Sequence, residues 1–258
     1  MFLRTVKENK NMKKNIPRLY IKENLKIKQI FYLSRYDTYY IQKVLRMKVE
    51  DVLEIFNNTN YIFFSKIIYL SDKIIKIKIF DCKFKNNESP LHIHLGQVIS
   101  SNEKMDFTIQ KSVEMGVNII TPLISEYCNV KKKGIDFSKK IKRWEKIVVA
   151  SCQQCRRNII PIIQYPQDIF SWCQNNTKNS TKIIFHPESK STINHLPQYT
   201  NNVHMIVGSE GGFSNNEIFK ITEYGFFSIK LGPRILRTET ATVVAITALQ
   251  IKFGDFLI

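Results

Sequence analysis

Long apolar runs are missing from this 258-residue sequence, and cysteines are few. No stretch approaches the roughly 18 consecutive apolar residues that a membrane-spanning helix needs. Residues 1–14 are charged and lack the apolar centre of a secretory signal. The five cysteines are an odd, scattered set, which is typical of a reduced protein rather than of a disulfide framework. We therefore predict a cytoplasmic protein with free thiols.

Acidic residues are scarce relative to basic ones. Lysine and arginine number 39 against 22 aspartates and glutamates, which gives a formal net charge of +17 and a pI near 9.6. A surplus of that size raises the affinity for polyanions and predicts a nucleic-acid partner. The chain is also rich in lysine, isoleucine and asparagine, a bias typical of AT-rich genomes. Compositional drift is therefore an alternative source of part of the charge.

The first third of the chain has the pattern of a small β domain. Residues 18–21, 29–33, 52–56, 61–70 and 73–81 are predicted as strands, with a helical pattern at 39–47. In the last strand Ile75, Ile77 and Ile79 alternate with lysines, the period of a strand with one wet face. Several short strands at close spacing favour a small barrel.

Beyond a polar stretch at residues 85–90, which predicts a linker, strands and helices alternate. Strands are predicted at residues 91–99, 119–124, 182–185, 203–207 and 226–231. Helices are predicted at residues 105–115, 138–155, 215–224 and 239–253. Such alternation predicts an α/β domain with a largely parallel sheet.

The segment VGSEGGFS at residues 207–214 is the most informative motif. A hydrophobic strand ends directly in a glycine-rich turn that is followed by a helix. Glycines let the backbone approach a ligand closely, and ligands of open α/β sheets bind at the carboxyl ends of the strands. The spacing matches neither the dinucleotide fingerprint nor the P-loop. A plain glycine turn is the alternative interpretation.

A second strand-to-helix corner lies at residues 231–241, LGPRILRTETA. Arg234 and Arg237 stand beside the predicted helix start at Thr238 and Glu239, where backbone N–H groups also favour anions. This pattern indicates a clamp for RNA or substrate. A capped helix with solvated arginines is the alternative.

Metal-ligating residues do not form a set. Cys152 and Cys155 make one C-x-x-C without a second pair, and His92 and His94 share one side of a strand without a third ligand nearby in sequence. We predict no metal site.

Four blocks of the sequence resemble one family. They are residues 90–126 (PLHIHLGQVISSNEKMDFTIQKSVEMGVNIITPLISE), residues 143–161 (RWEKIVVASCQQCRRNIIP), VGSEGGFS and LGPRILRTETA. In this order they are similar to RsmE, the bacterial 16S ribosomal RNA uridine-N3 methyltransferases of the SPOUT superfamily. The resemblance runs from about Ile16 to the C-terminus.

The resemblance implies the domain plan and the partners. It implies a PUA-like RNA-binding β-barrel at residues 15–84 and, after the linker, a SPOUT α/β domain with a deep trefoil knot at residues 91–258. Residues 1–14 would be an N-terminal extension, and Met12 an alternative start. A homodimer, the cofactor S-adenosyl-L-methionine and 16S rRNA of the small ribosomal subunit as substrate are also implied, with no membrane and no metal.

The cofactor residues are carried over position by position, whereas the catalytic and RNA-binding residues are hypotheses drawn from their charge and chemistry. We expect Glu239 to accept a hydrogen bond or proton from the uridine and Arg237 to stabilise the charge that develops on the uracil. RNA would also be bound by Arg18, Lys43, Arg46 and Arg234. The cofactor-binding residues implied are His186, Pro187, Gly208, Ser209, Glu210, Gly211, Gly212, Leu231, Gly232, Ile235 and Leu236.

The chain departs from the family pattern at three positions. Ser209 replaces a proline, which predicts a looser turn; Arg156 replaces a glycine; and Tyr40 stands where histidine is common. Two alternatives therefore stay open. One is an RNA-binding or ribosome assembly factor without activity, and the other is a SPOUT methyltransferase that acts on another RNA, such as tRNA.

Overall fold

The computed structural model describes residues 16–128, 136–175 and 180–257, so the predicted extension at residues 1–14 lies outside the described part. The chain divides into two compact units, residues 1–86 (unit 1) and residues 87–258 (unit 2). No helix among the described residues is both long and apolar enough to cross a membrane.

Unit 1 is built on one five-stranded sheet. Its elements are β1 (Arg18–Tyr20), β2 (Ile30–Tyr32), α1 (Arg35–Tyr39) continuing into a π-helical turn (Tyr40–Val44), β3 (Val52–Phe56), β4 (Tyr61–Leu70) and β5 (Ile75–Phe84). The strand order is β1-β3-β4-β5-β2, and only the β1–β3 pair is parallel. Ile75, Ile77 and Ile79 are fully buried, as their alternation with lysines predicts.

Unit 2 alternates strands and helices. Its elements are β6 (His92–Val98), α2 (Asn102–Glu114), β7 (Ile119–Ile124), α3 (Ser138–Cys155), β8 (Ile162–Ile163), β9 (Gln167–Asp168), α4 (Ile169–Gln174), β10 (Thr181–Phe185), a 3-10 turn (Ile193–His195), β11 (Asn202–Val207), α5 (Asn215–Glu223), β12 (Phe227–Ile229) and α6 (Thr238–Phe253). Every strand pair is parallel, and the order is β12-β10-β11-β6-β7-β8, with β9 also on β7. The prediction of a parallel α/β domain is confirmed.

Several predicted boundaries shift by one to three residues or more. α2 begins at Asn102, three residues before its predicted start, with Ser101 at the N-cap position. The helix predicted at residues 39–47 is instead α1 with its π-helical turn, and β12 is shorter than the predicted strand at residues 226–231. The short elements β8, β9 and α4 were not predicted.

The sheet order sets the position of the candidate site. β10 pairs with β11 on one side and with β12 on the other, and Phe185 lies opposite both Val207 and Ile229. The carboxyl ends of these three strands are therefore level at one edge of the sheet. The segments that follow them must converge there.

Arg156 ends α3 in a conformation that suits glycine. Its φ of 67° and ψ of 23° are left-handed, the usual position of a C-terminal glycine. A side chain there costs about 1 kcal/mol, so Arg156→Gly is expected to raise the free energy of unfolding by about 1 kcal/mol in urea denaturation. Arg156→Ala is the control, because it keeps the Cβ atom and should gain nothing. An equal gain in both variants would contradict this explanation.

Candidate functional site

A groove of about 620 Å³ lies at the level edge of the sheet in unit 2. Its walls are the segments that follow β10, β11 and β12, the first turns of α6, and Lys104 from α2. A smaller recess of about 50 Å³ adjoins it beside Leu231. A volume of this size is ordinary for a site that binds a small molecule or cofactor.

The structure brings the predicted cofactor residues together. All of them line the groove or its recess: His186, Pro187, Gly208, Ser209, Glu210, Gly211, Gly212, Leu231, Gly232, Ile235 and Leu236. They come from three loops separated by about 20 residues each, and the parallel strand order makes them neighbours. Their contact with a cofactor stays a prediction.

The glycine turn after β11 is tightly packed. Gly212 has a φ of 67°, and its N–H donates to the carbonyl of Ser209 at 3.0 Å. A Cβ atom on Gly211 would lie 2.8 Å from the Cβ of Tyr127, so only glycine fits without displacement. Ser209 is buried, and its Oγ donates to the carbonyl of Tyr127 at 3.3 Å. Hydrogen bonds thus hold the turn where the family has proline, and the looser turn expected from Ser209 stays a prediction.

Glu217 fixes the far side of this turn, although the sequence analysis did not single it out. The residue is 2% exposed; its carboxylate accepts the N–H of Glu126 at 2.7 Å and the N–H of Ser214 at 2.9 Å. Ser214 in turn caps α5 by accepting the N–H of Glu217. The spacing S-x-x-E before a helix is the capping-box signal that could have revealed the local half of this arrangement.

A buried polar network joins the glycine turn to α6. The hydroxyl of Thr238 donates to the carbonyl of Gly208 and accepts from Nε2 of Gln97 at 3.2 Å. Thr242 donates to Oε1 of Gln97 at 2.7 Å. All three side chains are buried. The network therefore connects the end of β6, the start of α6 and the wall of the groove.

Thr238→Val should remove the centre of this network. It takes the hydroxyl partner from the part-buried carbonyl of Gly208 and one of two acceptors from Nε2 of buried Gln97, which costs about 1–3 kcal/mol of the free energy of unfolding. Urea denaturation measures the loss. Thr247→Val on the same helix is the control, because the Thr247 hydroxyl bonds chiefly to the Val243 carbonyl of its own helix. Losses of equal size would show that the network adds nothing.

Lys104 and Glu210 form an ion pair across the glycine turn, with Nζ and Oε1 2.9 Å apart and both side chains about one-third exposed. Burial by itself raises the pKa of Glu210, but hydrogen bonding to Lys104 and the lysine's charge outweigh it and lower that pKa overall. Lys104 is one of the two lysines in α2, and no sequence signal marks it as part of the site.

The predicted catalytic and anion-binding residues have different surroundings. Arg234 and Arg237 are exposed and line the groove. Glu239 lies in the first turn of α6 but does not line the groove, and its Oε2 is buried without a hydrogen-bond partner in the described part of the chain. His186 is half-buried in the groove; burial lowers its pKa although Glu188 opposes the shift, so the ring is neutral at pH 7.

Unit 1 holds the other predicted RNA contacts. Lys43 and Arg46 are exposed, on the π-helical turn and just after it. Arg18 departs from the prediction, because it is buried and its guanidinium lies 2.6 Å from Glu54 and 4.5 Å above the ring of Phe56. The parallel pairing of β1 with β3 places Arg18 directly opposite Glu54. Arg18 therefore forms a structural ion pair with Glu54 and is not part of an RNA-binding surface.

The described residues contain no group of three or more side chains suited to hold a metal ion. His94 is buried instead, beside Trp172 and His204. Its Nε2 lies 2.7 Å from the hydroxyl of Thr121, which donates to Gln164, so the imidazole is the donor.

The neighbouring histidines His94 and His204 predict that the fold becomes less stable in acid. Burial and neighbouring histidines lower the pKa of His94 to about 3, and burial is also the main cause that lowers the pKa of His204 to about 4. In the unfolded chain both histidines titrate near pH 6.5. Below that pH the unfolded state therefore binds protons that the folded state does not bind. We expect the free energy of unfolding to fall by about 1 kcal/mol per histidine between pH 6.5 and 5.5. Urea denaturation should show a shallower fall for His204→Gln; an unchanged slope would contradict this assignment.

Comparison with known proteins identifies both units. Residues 87–250 match the family model described as RNA methyltransferase domain, and residues 37–80 match that described as RNA methyltransferase PUA domain. The resemblance drawn from the sequence blocks is confirmed, as is the pairing of an α/β methyltransferase fold with a PUA-like domain.

Individual relatives agree over nearly the whole chain. A ribosomal RNA small subunit methyltransferase E from Buchnera aphidicola subsp. Acyrthosiphon pisum is 60% identical over 256 residues, covering 99% of this chain and 100% of the relative. The solved methyltransferase E of Neisseria gonorrhoeae, bound to S-adenosyl methionine, is 34% identical with a TM-score of 0.88. A methyltransferase of Legionella pneumophila, solved with the cofactor SAM, is 38% identical with a TM-score of 0.89. Both of these structural comparisons cover 94% of this chain and 100% of the solved chain. The chain therefore belongs to the ribosomal RNA small subunit methyltransferase E family and is a methyltransferase.

Proposed function

We propose that this enzyme transfers a methyl group from S-adenosyl-L-methionine to N3 of a specific uridine in the 16S rRNA of the small ribosomal subunit. The observation that carries the proposal is the groove at the ends of β10, β11 and β12, because every residue expected to bind the cofactor lines it or its recess. Two solved relatives at 34% and 38% identity hold that cofactor.

The groove has the properties that the cofactor requires. The loops at residues 208–212 and 231–236 supply backbone donors and acceptors, and Gly212 leaves room for close approach, because nothing lies within 4 Å of the position of its Cβ. When bound, the cofactor supplies an electrophilic methyl group on a positively charged sulfur. Neutral His186 adds no positive charge to the groove.

The chain's own residues then act on the uridine. N3 lies on the Watson–Crick edge, so the base must be unpaired or flipped out of a helix. Glu239 is the proposed acceptor for the N3 proton; it lies outside the lining of the groove, but its neighbour Thr238 in the first turn of α6 lines it. Arg237, exposed on the groove wall, is the proposed donor to the uracil oxygen on which negative charge develops.

RNA would be held by Arg234 at the groove and by Lys43 and Arg46 on unit 1. All three side chains are exposed. Because contacts to phosphates release counterions, the affinity should fall steeply as the salt concentration rises.

The remaining family properties are part of this proposal. We assign residues 15–84 to the RNA-binding domain, 85–90 to a linker and 91–258 to a knotted catalytic domain in a cytoplasmic homodimer. The knot rests on the family resemblance. Val244 and Ile251 support a dimer, because α6 leaves both exposed. Light scattering of the wild type and of Val244→Glu tests the dimer. Pulling the chain by its two termini tests the knot, because a knotted chain has a shorter fully stretched length than an unknotted one.

Mass mapping of RNA after incubation with the enzyme and isotopically labelled cofactor tests the reaction. We expect one labelled methyl group at N3 of one uridine in 16S rRNA, offered both as naked RNA and as assembled small subunits. Label on tRNA instead would favour a related enzyme with another substrate. RNA binding without any label would favour an assembly factor.

A further inference from the structure

The outer face of the unit 1 sheet carries aromatic rings and lysines in alternation. On β5, Lys76, Lys78 and Phe80 follow at every second residue, opposite the buried isoleucines of the same strand. Tyr32 of β2 and Tyr69 of β4 both lie directly opposite Lys76. We call the set Tyr32, Tyr69, Lys76, Lys78 and Phe80 the aromatic–lysine face.

Its central row is a lysine between two tyrosines. Nζ of Lys76 lies 5.2 Å from the ring centroid of Tyr32 and 5.3 Å from that of Tyr69. Both rings stay open to solvent, with Tyr32 60% and Tyr69 48% exposed. The contacts with Lys76 orient the rings without covering them.

The next rows continue the pattern. Lys78 is exposed and lies opposite Lys66, and Phe80 is 50% exposed with its ring 6.4 Å from that of Phe64. Lys66 pairs with Glu50, whereas Lys76 and Lys78 form no ion pair within the described residues of unit 1. The aromatic–lysine face is therefore both positively charged and aromatic. Its rings lie on the opposite side of the sheet from the hydrophobic core, so they are not needed for core packing.

We propose that the aromatic–lysine face binds an unpaired stretch of RNA by stacking bases on its rings while its lysines contact the phosphates. Rings interleaved with cations suit single strands, because every base has a flat face and every nucleotide a negative charge. A duplex hides its base faces, so it can use only the lysines.

The face is also continuous with the predicted RNA contacts on unit 1. The side chain of Gln42 donates to the carbonyl of Ser71, two residues after Tyr69. That bond fixes the π-helical turn carrying Lys43 beside the end of the face. The inference rests on the proposed function and deepens it, because it names the form of RNA that unit 1 holds.

The experiment measures binding of the full chain to a fluorescent oligouridylate of about 12 nucleotides, by anisotropy and without cofactor. Tyr32→Ala and Tyr69→Ala are each expected to weaken binding about tenfold and to leave its salt dependence unchanged. Lys76→Gln should instead reduce the slope of log affinity against log salt by about 0.7. Unchanged melting temperatures would show that the exposed substitutions leave the fold intact.

The controls are Tyr199→Ala, which removes a 79% exposed tyrosine of unit 2, and Lys139→Gln, which removes an exposed lysine of α3. Tyr199→Ala should bind as wild type, and Lys139→Gln should keep the wild-type salt slope. A duplex of equal length should bind more weakly and lose nothing in the tyrosine variants. Equal affinity for duplex and single strand, or tyrosine variants that bind as wild type, would overturn the proposal.

The outcome is separable from that of the proposed function. If the wild type methylates 16S rRNA but the tyrosine variants bind the oligonucleotide normally, the aromatic–lysine face is not the RNA site and the activity stands. If the tyrosine variants lose binding but no methyl group is transferred, the face is confirmed and the proposed activity is wrong.

Discussion

Replacing Arg237 with alanine is expected to lower kcat for methyl transfer to 16S rRNA by about 100- to 1,000-fold. The guanidinium is exposed on the groove wall, directly before the first turn of α6, and few other cations reach the groove. Methylation requires N3 to lose its proton, so negative charge develops on the uracil oxygens. A donor aimed at that charge acts mainly in the transition state, and its loss should therefore appear in kcat more than in KM. Single-turnover assays with excess enzyme measure the methylation step.

Arg234→Ala is the matched control. Arg234 lines the same groove and is equally exposed, but it is proposed to contact phosphate, so its loss should raise the KM for RNA with little change in kcat. Glu239→Gln should also lower kcat, because the amide cannot take up a proton. Near-normal turnover in both Arg237→Ala and Glu239→Gln would show that the catalytic assignment is wrong.

Arg157→Ala is expected to lower the free energy of unfolding by about 3–5 kcal/mol. Arg157 is 4% exposed and pairs with Glu88, Nε to Oε1 at 3.1 Å. It also donates to the carbonyls of Val113 and Val117 at 2.9 and 2.8 Å, where α2 ends. Alanine would leave the Glu88 carboxylate, whose side chain is 15% exposed, and two carbonyls without this partner.

Arg143→Ala provides the comparison for this second prediction. Arg143 also pairs with an acid, Asp106, but its side chain is 62% exposed, so its loss should cost less than about 1 kcal/mol. Urea denaturation of both variants measures the difference. Equal losses of the free energy of unfolding in the two variants would show that burial does not explain the stabilisation by the Arg157–Glu88 pair.

The features that depend on local pattern were predictable from the sequence. The alternation of Ile75, Ile77 and Ile79 with lysines identified a half-exposed strand, because strand periodicity is a property of neighbouring residues. The glycine turn was visible because glycine adopts the φ of 67° at Gly212 without strain and fits the close contact at Gly211. Alternating elements predicted the parallel sheet, and that sheet accounts for the convergence of the loops.

The features that depend on tertiary pairing were not predictable in this way. Gln97 meets Thr238 across 141 positions and Thr242 across 145, and no local pattern encodes such a contact. Arg18 was assigned to RNA because the sequence shows its charge but not the parallel pairing that places Glu54 opposite. Arg156 was visible as a departure from a glycine, but its left-handed conformation appears only in the structure.

A crystal structure of this chain grown with S-adenosyl-L-methionine would locate the cofactor. We expect the ligand to lie between residues 208–212 and 231–236, beside His186 and with its methyl group open towards Arg237. A ligand bound elsewhere on the chain, or a groove that stays closed by its own side chains at saturating ligand, would contradict this expectation.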